Sequence, residues 1–176
     1  NESFATWVSA KAIDHLFPQW KIWEQFYTAT TSALAMDGLN STHPIEIPIH
    51  DPKEINQIFD AITYDKGSAI LRMLEDYLDE DVFKKGLRVY LNRHKYENAR
   101  TQDLWRSFNE VSGRPVADMM DTWTKQPGYP VIEVKALRNS AKQPFIEWEQ
   151  TPFHYAALKD TQLKQSLWRV PFTMIA

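Results

Sequence analysis

Apolar residues recur at helical spacing through most of the first 128 positions, and then the period changes to two. Phe4, Ala5, Val8, Ala12 and Leu16 predict a helix over residues 3–17, with Ala10 and Ile13 widening its apolar face. Trp23, Phe26, Tyr27, Thr30 and Leu34 predict a second over 20–34, set off by Pro18 and stopped at Asp37-Gly38. Between Leu39 and Ile58 the pairs His43-Pro44, Ile47-Pro48 and Asp51-Pro52 break the pattern, because a residue before proline is pushed out of the α region. The spacing there predicts a loop, with a short helix from Asp51 through Phe59 that has proline in its first turn.

Residues 68–78 are apolar nearly all round, as in a helix buried at the centre of a fold. Val82, Phe83, Leu87, Tyr90 and Leu91 predict an amphipathic helix over 81–94. Thr101 is the expected N-cap of a helix that turns Leu104, Trp105, Phe108 and Val111 inward and ends at Ser112-Gly113. Pro115 opens another, with Val116, Met119, Met120 and Trp123 at i, i+3, i+4 and i+7, stopped by Pro127-Gly128. Residues 131–137, 145–150 and 167–175 then read as strands separated by polar turns.

Composition narrows the function classes. A hydrophobic content of 43% with 13% aromatics suits a packed core and excludes a disordered tail. The net charge of −3 and the scattering of 20 Lys and Arg give nucleic acid no electrostatic footprint. No apolar run is long enough to cross a bilayer, so no membrane partner is expected. With no cysteine, disulfides and thiolate-held metals are excluded, and a reducing cytoplasm is the expected compartment. The chain opens without an initiator Met almost directly into a helix and closes within an apparent strand, so an excerpt of a longer protein is expected.

Self-contained catalytic motifs are missing. The five histidines, His15, His43, His50, His94 and His154, include no i, i+4 pair, so no H-E-x-x-H zinc helix exists here. No G-x-S-x-G elbow, P-loop or dinucleotide-binding glycine turn is present. His15 and His94 fall near helix ends, where a cation is favoured, and His43 sits in the proline-rich loop, where it could line a cleft. Tyr64 stands in the polar turn Tyr64-Asp65-Lys66-Gly67, just ahead of the apolar helix. A tyrosine hydroxyl titrates near ~10, so at neutral pH it keeps its proton and can donate to an oxyanion near a helix N-terminus. The plainer reading is a turn tyrosine packed on its neighbours. Glu2, taken alone, is an acidic residue that stabilises the first turn of a helix.

The segment Phe59-Asp60-Ala61-Ile62-Thr63-Tyr64-Asp65-Lys66-Gly67-Ser68 resembles the tyrosine-bearing segment of the aminopeptidase N-like zinc metallopeptidases. Asn1-Glu2-Ser3-Phe4-Ala5-Thr6-Trp7 is similar to their N-E-[GS]-F-A-x-[WY] segment, and further likenesses follow in order at His43-Pro44-Ile45, Tyr90 to Trp105 and Trp123 to Val131. The resemblance covers residues 1–135 well and the tail loosely. Asn-Glu-Ser-Phe leans towards the puromycin-sensitive branch, and Phe17 to Trp20 and Asp51 to Phe59 look closest to the archaeal tricorn-interacting aminopeptidase factors.

The resemblance implies a helical C-terminal part of a thermolysin-like catalytic domain over 1–128, followed by the start of a β-sandwich-like domain over 129–176. It implies one zinc ion, with Glu2 as its third protein ligand and Tyr64 as the donor to the oxyanion when zinc-activated water attacks a peptide bond. The expected substrates are oligopeptides that lose their N-terminal residue, with a tricorn-like protease or the proteasome pathway as the partner the resemblance implies. The H-E-x-x-H helix and the motif that binds the substrate amine are absent, so residues 1–176 alone should be inactive. A non-catalytic peptide- or partner-binding scaffold is the rival reading. Retention of both Glu2 and Tyr64 tells against it, since a scaffold would tolerate Gln or Phe at those positions.

Overall fold

The computed structural model describes residues 2–49, 51–138, 143–155 and 165–172. Six α-helices carry the first part: α1 (Glu2–Leu16), α2 (Ile22–Asp37), α3 (Gly67–Leu78), α4 (Glu80–Arg93), α5 (Thr101–Ser112) and α6 (Val116–Thr124). Short 3₁₀ turns at Pro18–Trp20 and Pro52–Ile58 fall at the two proline-led stretches. The helices the spacing predicts therefore all form. The predicted start of α2 at Trp20 shifts to Ile22, because Pro18 winds residues 18–20 into a 3₁₀ turn and Lys21 takes a left-handed conformation.

At α5 the cap is Arg100 and not Thr101. The Arg100 N–H donates to the Asp103 carboxylate at 2.9 Å, so the helix begins one residue earlier than hydroxyl capping would set it. Gly113 closes α5 in the left-handed conformation that glycine adopts without a Cβ penalty.

α3 is the hub. Leu71, Leu74 and Leu78 are buried with Trp7 of α1, Phe83 of α4, Trp105 and Phe108 of α5, and Met119 and Met120 of α6 in one cluster. Gly86 of α4 lies where an added Cβ would stand 2.4 Å from the Phe108 ring, so it lets α4 and α5 pack closely. Trp7 donates from Nε1 to Glu75 at 3.2 Å, and Lys11 also bonds that carboxylate, which ties α1 to α3 through a buried acid.

Beyond Gly128 the chain forms an antiparallel hairpin of β1 (Pro130–Arg138) and β2 (Pro144–Pro152), in register at Val134↔Trp148. The third predicted strand does not form in its described part, residues 167–172, and residues 173–175 lie outside the described residues. Its backbone groups are taken by side chains. Gln150 brackets Trp168, accepting from its N–H at 2.8 Å and donating to its carbonyl at 3.0 Å. Arg169 donates its N–H to Thr122 Oγ1 at 3.1 Å and accepts from Trp123 Nε1 at 3.0 Å. With those groups occupied and no N–H on Pro171, a ladder has little to pair with.

Candidate functional site

Tyr64 does not stand in an irregular turn. It belongs to a single π-helical turn, Ile62–Lys66, that runs straight into α3. The Gly67 N–H reaches five residues back to the Ile62 carbonyl instead of four back to Thr63. The Thr63 carbonyl accepts instead from Ser3 Oγ at 2.6 Å. One extra residue in the helix thus opens a bonding position, and the first turn of α1 fills it.

That bond joins the first turn of α1, which begins at Glu2, to the π-helical turn that carries Tyr64. Glu2 adjoins Ser3 at the start of α1, and Tyr64 adjoins Thr63. Gly67 makes the approach possible: an added Cβ would lie 2.1 Å from Ser3 Oγ and 2.8 Å from Ser3 Cβ. The expected location of Tyr64 near a helix N-terminus holds, since its own N–H is bonded to the Asp60 carbonyl at 3.0 Å in the first turn. Its side chain is 38% exposed, with its ring 6.4 Å from that of Phe59.

Two further groups brace this turn. His43 Nε2 lies 2.7 Å from Asp60 Oδ2, and Asp60 Oδ1 accepts from the Thr63 N–H at 3.0 Å. Burial acts to raise the Asp60 carboxyl, but hydrogen bonds from His43 and the Thr63 N–H, with the charge of His43, outweigh it and hold it below its ordinary value. Two residues past Tyr64, the buried Lys66 ammonium lies 2.7 Å from Asp37 Oδ2 and donates to the Gly128 carbonyl at 2.9 Å. Burial pushes Lys66 down from its ordinary value, partly offset by the Asp37 charge. Asp37 Oδ1 in turn accepts from Thr42 Oγ1 and from the Gly128 N–H.

A cleft of about 820 Å³ runs beside the site, lined by Glu2, Phe4, Ile45, Ile47, Thr63 and Ile70, among others. The proline-rich loop reaches this cleft through Ile45 and Ile47, while His43 is spent on Asp60 and is not among the lining residues. His15 falls in the last turn of α1 and His94 at the C-cap of α4, as the spacing predicts. Among the described residues, no group of three His, Cys, Asp or Glu side chains could hold a metal ion. Glu2 suits zinc as one oxygen ligand by its chemistry, and among the described residues no two further ligands gather with it. The sequence reading singled out Glu2 and Tyr64 but gave no role to Ser3, Asp60, Asp37 or Lys66. No local signal marks them, because Ser3 bonds a carbonyl 60 residues on, Asp60 faces a histidine 17 residues back, and Lys66 and Asp37 pair from separate elements.

Residues 1–123 match the Peptidase family M1 domain. Aminopeptidase M1-D of Oryza sativa subsp. japonica is 48% identical over 174 residues, which is 99% of this chain and 19% of the rice protein. The alanine/arginine aminopeptidase of Saccharomyces cerevisiae is 49% identical over 140 residues, 79% of this chain and 16% of the yeast protein. The yeast protein named aminopeptidase 2, mitochondrial, is 50% identical over 135 residues, 76% of this chain and 14% of its own length. The chain spans less than a fifth of the length of these curated relatives.

Proposed function

This chain belongs to peptidase family M1, and we propose that it supplies one metal ligand and one oxyanion donor to a zinc aminopeptidase acting on peptides. The observation that carries this reading is the bond from Ser3 to the Thr63 carbonyl, which ties the first turn of α1, where Glu2 stands, to the turn that carries Tyr64, with Glu2 and Thr63 lining the cleft. The aminopeptidase names of the rice and yeast relatives support the activity and the peptide substrates.

In this reading Glu2 presents a carboxylate oxygen from the first turn of α1 and completes a ligand set whose imidazoles come from outside residues 1–176. When bound, zinc supplies the Lewis acidity that activates a water and polarises the scissile carbonyl. Tyr64 donates a hydrogen bond from its hydroxyl as the carbonyl oxygen gains charge. The apolar residues of the cleft hold peptide beside both groups and exclude bulk water from them. Glu2 and Tyr64 together favour an enzyme over a peptide-binding scaffold.

The same reading divides the chain at residue 128, with the helical part of the catalytic domain before it and the start of a β-sandwich-like domain after it. The hairpin supports this. Val134, Ile146 and Trp148 share one face and are 48%, 44% and 53% exposed, and a two-stranded hairpin needs a further layer on such a face. Among the described residues no helix is long and apolar enough to cross a membrane. A cytoplasmic location suits a chain without cysteine, and cell fractionation checks it. The stretches Phe17 to Trp20 and Asp51 to Phe59 support the finer likeness to the tricorn-interacting factors, with a tricorn-like protease or the proteasome as the peptide supplier.

The test compares the full-length protein with its Tyr64→Phe variant on aminoacyl-coumarin substrates at matched zinc content. Losing one oxyanion donor should lower kcat ~10²–10³-fold with zinc retained. Equal kcat in both proteins would remove Tyr64 from the chemistry, and zinc fully retained in Glu2→Gln would remove Glu2 from the metal site.

A further inference from the structure

His43 and Asp60 form a side-chain bridge from the proline-rich loop to the residue just ahead of the turn that carries Tyr64. Both ring nitrogens of His43 face oxygen acceptors: Nδ1 lies 2.9 Å from the Pro44 carbonyl and Nε2 lies 2.7 Å from Asp60 Oδ2. Both oxygens are acceptors, so His43 holds Asp60 by donating from Nε2 to its carboxylate. Asp60 uses its other oxygen on the Thr63 N–H and its backbone carbonyl on the Tyr64 N–H, both at 3.0 Å. The two amides that set where the π-helical turn begins are therefore held by a single residue, and that residue is held by His43.

A π-helical turn contains one residue more than the α-helix would place there, and this defines what needs holding. Relaxation to α-helical spacing would rotate Tyr64 about the helix axis by ~100°, the angle of one residue at 3.6 per turn. Its hydroxyl would then point in a different direction from the helix. Resting on the reading of Tyr64 given above, we infer that His43 and Asp60 are positioning residues, which fix the register of the π-helical turn and so the aim of the Tyr64 hydroxyl.

The experiment is a double-mutant cycle in the full-length enzyme. Misplacing a reacting group by ~1 Å can cost as much as 10²-fold, so His43→Ala should lower kcat by at least ~10-fold while KM changes less than ~2-fold. His43→Gln, whose amide can still donate to Asp60, should recover most of the loss. In a Tyr64→Phe background, where no hydroxyl remains to be aimed, His43→Ala should lower kcat by less than ~2-fold further. Asp60→Asn is the second variant, with the same dependence on Tyr64 expected if His43→Ala does not fold. An equal loss in both backgrounds would assign the pair a general structural role and overturn the inference, as would wild-type kcat in a folded His43→Ala. If Tyr64→Phe alone keeps wild-type kcat, the role of Tyr64 falls first and the inference with it. A deficient Tyr64→Phe beside a fully active His43→Ala defeats the positioning alone.

Discussion

Lys66 Nζ lies 2.7 Å from Asp37 Oδ2 with both side chains out of solvent, which joins the turn that carries Tyr64 to the end of α2. Lys66 also holds the Gly128 carbonyl, and Asp37 holds the Gly128 N–H at 3.0 Å. The point where the helices give way to the hairpin is therefore pinned to the same pair.

Removing one partner of a buried pair leaves the other charge without compensation, and that costs more than the pair contributes. Asp37→Ala should lower stability by ~3–5 kcal/mol in denaturant unfolding, whereas replacing both residues with apolar ones of similar volume should recover most of that. A loss under ~1 kcal/mol in Asp37→Ala would mean that water reaches Lys66 and that the pair is not structural.

Gly67 is the contact point between α1 and the Tyr64 turn. Gly67→Ala puts a methyl 2.8 Å from Ser3 Cβ, which side-chain rotation cannot relieve, so α1 must move away. Overpacking of this kind costs ~1–3 kcal/mol. Ser3→Gly in the same chain removes the clashing atoms and should restore packing, but it loses the bond to the Thr63 carbonyl. Stability is thus expected to recover in the double variant while kcat stays low. Joint recovery of both would show that the Ser3 bond has no part in placing Tyr64.

Acid should weaken this corner of the fold through Asp60. Its carboxyl is held below the ordinary value of 3.8 in the folded chain, so the unfolded chain takes up its proton first as pH falls. The stabilisation is fully present above 3.8 and is lost as pH drops through the folded value. Asp60→Asn should therefore flatten the acid limb of the stability profile below about pH 4, measured by thermal unfolding against pH. An unchanged acid limb would show that the His43–Asp60 bond adds nothing to the folded state.

Much of the helical order was legible because it is a local property. The period of Val116, Met119, Met120 and Trp123 buries those four residues in α6 just as the spacing implies. The stops at Gly38 and Gly113 follow from residue types alone, while α6 ends at Thr124, ahead of the Pro127-Gly128 that the sequence offers. The Arg100 cap of α5 escaped notice because it is made by a backbone N–H and the Asp103 side chain, so the residue type at position 100 carries no signal. The third strand failed because Gln150, Thr122 and Trp123 compete for its backbone groups, and that competition exists only once the hairpin and α6 are side by side.

The sequence by itself determined which segments are helical and where the pattern turns to strands, and it offered Glu2 and Tyr64 as the candidates for the site. Period, proline placement and a family-like order of segments depend only on neighbours along the chain. Tertiary structure alone decided that Tyr64 sits in a π-helical turn, and that Ser3, His43 and Asp37 reach that turn from three separate parts of the chain. A register shift of one residue leaves no trace in hydrophobic spacing. Its stability depends on bonds that form only when α1, α2 and the proline-rich loop have closed around it.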